Sequence, residues 1–341
     1  MRTTAAVLAV SLFLATAATA APLNVVATVP DLGALVRVVG GDAVSVTVLA
    51  KPTEDPHFVE ARPSFVKALS EADLVAVVGL DLEVGYLPVL LANSRNARVQ
   101  PGAPGYADGS SVITPIETPS GPVDRSMGDV HPFGNPHYLL DPMNGLRVAR
   151  MLKDKLAAAR PEARDAFEQR TADFAKRLGA RLVGETLAGK YDVEKLVALD
   201  ERGALDDFLA KQGDAAALGG WLGTLRRFRG AKVVDDHNLW AYFAHRYGID
   251  VLGHMEPKPG IPPTTHHLEL IIGLMKEQHV HVVLSSAFYD PRHARFVADN
   301  TGAEVVPMAN QAGSRPGTDD YLDWMDYNVR QIAAALGKDA K

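Results

Sequence analysis

Cysteine is absent from all 341 residues. That excludes disulfides and thiolate metal ligands, and it leaves no thiol to carry a lipid at a processing site. A membrane-spanning run is lacking at the N-terminus as well. The apolar stretch Ala5–Leu14 is too short and too alanine-rich to span a bilayer. It follows Arg2 and precedes Ala18-Thr19-Ala20, an order that predicts a secretory signal over 1–20 and a mature chain beginning at Ala21. With no lipid attachment, the expectation is a protein free in a bacterial periplasm. An excess of basic charge is missing too. Without Arg2, 34 basic residues face 41 acidic ones, a formal charge of −7, which argues against a nucleic-acid partner. No HExxH helix or comparable glutamate-bearing motif of a zinc hydrolase occurs.

What is present is a regular alternation. LNVVATV (23–29), VSVTVLA (44–50) and DLVAVVGL (73–80) read as buried strands, with helical spacing between them in DLGALVRVVGG and RPSFVKALSEA. Such alternation predicts βαβ units and parallel sheets. Residues 102–128 read as a loop rich in Gly, Pro and Ser, without histidine. From Asp141-Pro142 a helical pattern runs to about residue 188, broken near Arg160-Pro161, and its second segment is expected to link two lobes. Beyond it, KLVALD (195–200), KVVDD (232–236), DVLGHM (250–255), VHVVLSS (280–286) and AEVVPM (303–308) are strand candidates. Helices are expected at 238–247, 265–277, 292–300 and 318–337; in the last, Leu322, Met325, Val329, Ile332 and Leu336 form a core-facing stripe. The expected fold is α/β: an N-terminal lobe over 21–145, a helical segment over 146–190, and a C-terminal lobe over 191–341. Residues 201–226 look like added helical material.

Three histidines stand in distinctive surroundings: His57 in TEDPHFVEARPSF, His137 in DVHPFGNPHYLLDP and His237 in VVDDHNLWAYFAHRYGI. They are 80 and 100 residues apart, so only converging loops could unite them. Each follows a strand or a turn, where a cleft residue projects, and three neutral imidazoles suit a divalent transition metal, zinc above all. Taken singly, each histidine is better explained as a structural or exposed residue than as a ligand. His131, six residues before His137, is placed to approach the same site, but a loop histidine beside Pro132 is the expected reading. His279 and His281 would share one face of a strand, a spacing compatible with metal, but they fit the strand's beginning, away from its ligand-bearing end; His245, His254, His266, His267 and His293 carry no pattern. Asp141 fits a helix cap as well as a support for His137. Asp235 and Asp236 either orient His237 or end a strand.

The same motifs carry a resemblance. DPHFVEARPSF, GNPHYLLDP and DDHNLWAYFAHRYGI, with EPKPGIPPTTHHLELIIGLMK and YLDWMDYNVRQIAAAL, resemble the solute-binding proteins of bacterial zinc and manganese ABC transporters, the cluster A-I receptors, over nearly the whole mature chain. The resemblance implies two α/β lobes bridged by a long rigid helix with metal in the cleft. It also implies His57, His137 and His237 as ligands, and delivery to a permease with its ATPase, with a periplasmic zinc chaperone as a further partner. It points to a monomer and away from an enzyme. Members often add a carboxylate after the last strand; Ala309 or Asn310 stands there, leaving water, Asn310, Asp290 or Glu54 to complete the shell. Zn(II) is expected ahead of Mn(II) or iron, since manganese sites bring more oxygen ligands. A zinc-dependent hydrolase is the reading from another class.

Overall fold

A computed structural model describes residues 21–121, 131–258 and 260–339, so the expected signal over 1–20 lies outside the described residues. The first half holds β1 (Leu23–Ala27), α1 (Pro30–Gly40), β2 (Val44–Val48), α2 (Pro63–Ser70), β3 (Leu74–Val77), α3 (Leu87–Ser94) and β4 (Tyr106–Asp108). Its four parallel strands lie in the order β2-β1-β3-β4. Two helices follow, α4 (Pro142–Ala159) and α5 (Arg164–Val183). Then come α6 (Glu185–Lys190), α7 (Val193–Glu201), α8 (Leu205–Gln212) and α9 (Gly220–Leu225). The second half holds β5 (Lys232–Asp235), α10 (Ala241–Tyr247), β6 (Asp250–His254), α11 (Thr265–Gln278), β7 (Val282–Ser285), α12 (Pro291–Thr301), β8 (Glu304–Pro307) and α13 (Tyr321–Asp339). Its parallel sheet repeats the first order, β6-β5-β7-β8.

In each sheet the chain steps first to one side of the opening strand and then to the other. That reversal opens a crevice beyond the carboxyl ends, where ligands of open α/β sheets bind. The valines of the central strands β1, β3, β5 and β7 are buried, since helices cover both faces. Strand β2 is an edge: its valines are half-covered and Ser45 and Thr47 are exposed, so the fully buried strand expected there is corrected to a one-sided one.

Helix α5 packs on α1 of the first lobe and on α9 and α13 of the second, which makes it the link between lobes. Pro161 opens a short 3-10 turn (Pro161–Ala163) ahead of α5, so it starts a new helix instead of kinking one.

The strand expected at 195–200 is a helix. Asp192 caps α7 by accepting from the backbone amides of Glu194 and Lys195, and Leu196, Val197 and Asp200 bury one helical face. A short apolar run cannot choose between periods on its own; the cap decided it. Within the expected loop 102–128, three residues form β4 at the sheet edge, too short a strand to show alternation.

Candidate metal centre

His57 lies in the loop after β2. Asp55 Oδ1 accepts from its backbone amide at 3.0 Å and sits 2.7 Å from its Nδ1, so the ring is fixed and Nε2 is turned away. His237 directly follows β5 and Asp236, at the reversal point of the second sheet. Its Nδ1 is 2.8 Å from Glu256 Oε2, a residue of the loop after β6. The same oxygen accepts from Tyr289 Oη at 3.3 Å and from the Gly260 amide at 3.2 Å. His137 is placed by Asn135, whose Oδ1 accepts its amide at 2.9 Å, and by the turn Tyr138–Leu140 leading to α4. Its Nε2 is shut off from solvent with no hydrogen-bond partner among the described residues.

The three rings converge. Their centroids are 5.3 Å (His57–His137), 5.8 Å (His57–His237) and 5.7 Å (His137–His237) apart, all edge-on. One ring nitrogen from each lies within 4.8 Å of the others. No carboxylate joins this group among the described residues. Burial, reinforced by the neighbouring imidazoles, pushes His137 well below the usual histidine range, so it is held neutral with a lone pair to offer. Asp55 is pushed up by burial, but its hydrogen bond to His57 and the charges of His57 and His237 outweigh this and hold it below the usual carboxylate range. The donor set therefore fits a divalent transition metal. A cavity of about 420 Å³ opens onto it, lined by Glu117, His131, His254, Glu256 and Lys258 among others.

Several residues stand elsewhere than sequence reasoning put them. His131 is not a plain loop residue: its ring stacks on His57 at 5.1 Å, with the two Nε2 atoms 3.0 Å apart. Burial, then the charges of His57 and His237, push His131 down to about 3. His254 pairs through Nδ1 with the buried Asp235 at 2.6 Å. Asp235 thus orients His254 and not His237, while Asp236 accepts the Ser286 amide. Glu256, inside the quoted EPKPG string, is the residue that orients His237; its place just past a strand was the available clue. Of the fourth-ligand candidates, Asp290 caps α12 and binds Arg292, and Glu54 accepts the Lys51 amide, so neither points to the group. Asn310 is buried and its Oδ1 accepts from Ala287; Ala309 holds Trp324 and Asn328 through its backbone. Asp141 caps α4 and binds Arg246 without touching His137. His279 ends α11 in the left-handed region and His281 precedes β7, both remote from the carboxyl ends. His245 and His266 are exposed on helices, His293 sits on α12, and His267 bonds the His254 carbonyl.

The family profile described as "Zinc-uptake complex component A periplasmic" matches residues 25–182 and 217–335. The chain belongs to the metal ABC transporter substrate-binding proteins. A metal ABC transporter substrate-binding lipoprotein of Streptococcus cristatus is 23% identical over 93% of this chain and 89% of its own length. A manganese-binding lipoprotein of Halalkalibacterium halodurans is 22% identical over the same shares. Among solved structures, a crystal structure of ZnuA superposes with a TM-score of 0.67 at 24% identity, covering 93% of this chain and 98% of the other. The two-lobe fold with its connecting helix is therefore that of ZnuA.

As a substrate-binding protein it acts outside the cytoplasm with a membrane permease and an ATPase. Among the described residues no helix is long and apolar enough to cross a membrane. The relatives above are named lipoproteins, which stands against the expectation of an unanchored protein. Residues 183–216, carrying α6 to α8, fall outside the family match and overlap the segment 201–226 in part.

Proposed function

We propose that this substrate-binding protein captures Zn(II) in the periplasm through His57, His137 and His237 and passes it to its permease. The observation that carries this reading is the convergence of three ring nitrogens within 4.8 Å, with no carboxylate in the group. Imidazole suits zinc, whereas manganese favours oxygen donors. Asp55 and Glu256 accept at Nδ1 of His57 and His237 and leave Nε2 as the donor, the usual support for a metal-bound histidine.

Both lobes contribute to the group, so bound metal ties them together. They are already fastened around it. Asp31 accepts the Ala312 amide at 2.6 Å, Gln311 donates to the Glu54 carbonyl at 2.9 Å, and Asn238 donates to Glu117 at 2.7 Å. Tyr242 Oη accepts from Ile116 and donates to Asn135. This network and α5 favour a small closure over a wide hinge. Asp55 and Glu256 are engaged by imidazoles, so neither stands free as a general base, which favours carriage of the metal over hydrolysis.

Manganese is the second reading, favoured by the relative named as manganese-binding. Titration of chelator-stripped protein with each metal tests the assignment. Tight one-to-one zinc binding is expected, and manganese binding tighter than zinc would refute it.

A further inference from the structure

After β3 the chain enters an uncommon conformation. Gly79, Leu80 and Asp81 follow one another with φ of 81°, 53° and 65°. Left-handed backbone crowds the Cβ of a non-glycine residue against its own carbonyl, so two such residues in succession need external support. Glu83 supplies it. Its buried carboxylate accepts from the Val78 amide at 2.6 Å, the Gly79 amide at 3.0 Å and the Thr28 hydroxyl at 2.6 Å. Strain held in place this way gathers at functional sites. Its product here is that the Leu80 carbonyl hydrogen-bonds the His131 ring.

His131 Nε2 lies 3.0 Å from His57 Nε2. Because Asp55 takes the Nδ1 proton of His57, that Nε2 carries a lone pair. If the Leu80 carbonyl likewise takes the single proton of a neutral His131 on its Nδ1 side, the second Nε2 carries a lone pair too. Two lone pairs aimed at each other repel, and a cation bound by both removes the conflict. Adjacent nitrogens on tetrahedral zinc, at about 2.0–2.1 Å from the ion, stand roughly 3.3 Å apart, close to the observed contact.

We propose that His131 is the fourth ligand, completing a shell of four imidazoles, with the Gly79–Asp81 turn as its support. The proposal rests on the three-histidine reading and takes the place of the carboxylate sought near Ala309. His131 stands outside the group within 4.8 Å and joins it by a shift of its ring toward the ion.

The test uses the mature chain, loaded with Zn(II) for X-ray absorption and with Co(II) for visible spectra. The parent should fit four imidazole nitrogens. His131→Ala should fit three plus one oxygen, with a changed cobalt spectrum and a marked loss of zinc affinity. His131→Gln guards against a folding artefact, and both variants should keep the apo circular-dichroism spectrum. Unchanged affinity and cobalt spectra in both variants would overturn this proposal alone. If His137→Ala also bound zinc like the parent, the three-histidine reading would fall, and this proposal with it.

Discussion

Glu256 Oε2 lies 2.8 Å from Nδ1 of His237, and Asp55 Oδ1 lies 2.7 Å from Nδ1 of His57. One carboxylate in each lobe thus fixes a tautomer and points Nε2 into the cleft. Glu256→Gln and Asp55→Asn should each weaken zinc binding about 10–100-fold, because an amide presents either hydrogen-bonding polarity to Nδ1. Competition against a chelating dye measures this; parental affinity in both variants would mean that the rings are held by packing alone.

His137→Ala should lower zinc affinity by orders of magnitude. The apo fold should tolerate it, since the removed Nε2 is a shielded polar atom without a partner. Calorimetry beside thermal melting checks both halves of the expectation.

Arg246 is buried and forked onto Asp141 at 2.9 and 2.7 Å, with Glu201 as a further partner at 2.8 Å. Asp141 also caps α4. Asp141→Ala removes a cap and half-strands a buried guanidinium, a loss of about 3 kcal/mol in urea unfolding. A loss below roughly 1 kcal/mol would show that Glu201 and water suffice.

Burial, eased by the Ala312 amide, raises the Asp31 carboxyl to about 7, and burial likewise raises Asp236 to about 7. Between the usual carboxylate range and pH 7 the folded state binds more protons than the unfolded one. Stability from these groups is therefore complete at low pH and is lost as pH rises through about 7. His137 runs the other way: pushed down by burial, its contribution is present above ~6.5 and lost as pH falls. Asp31→Asn keeps an acceptor for Ala312, so between about pH 5 and about pH 8 its Tm should fall less than the parent's. Equal pH slopes in the two proteins would contradict the assignment.

Much of this was legible in the sequence, and the exceptions have causes. Valine-rich runs and helical stripes located most strands and helices because burial imposes their periods. KLVALD misled because six residues fit either period and the deciding cap, Asp192, lies outside them. The three histidines were legible mainly through the motifs that carry the family resemblance, and only weakly through their loop positions; the structure brings them together. Their partners were less so. Glu256 reaches His237 from 19 residues away, and His131 meets His57 across 74, distances that only tertiary structure closes.

The most direct test of a zinc site built on imidazoles is a competitive titration of the chelator-stripped protein with Zn(II) and Mn(II) at neutral pH. One zinc per chain is predicted, bound far more tightly than manganese. Manganese binding as tight as or tighter than zinc would contradict such a site and require an oxygen ligand from another part of the cleft.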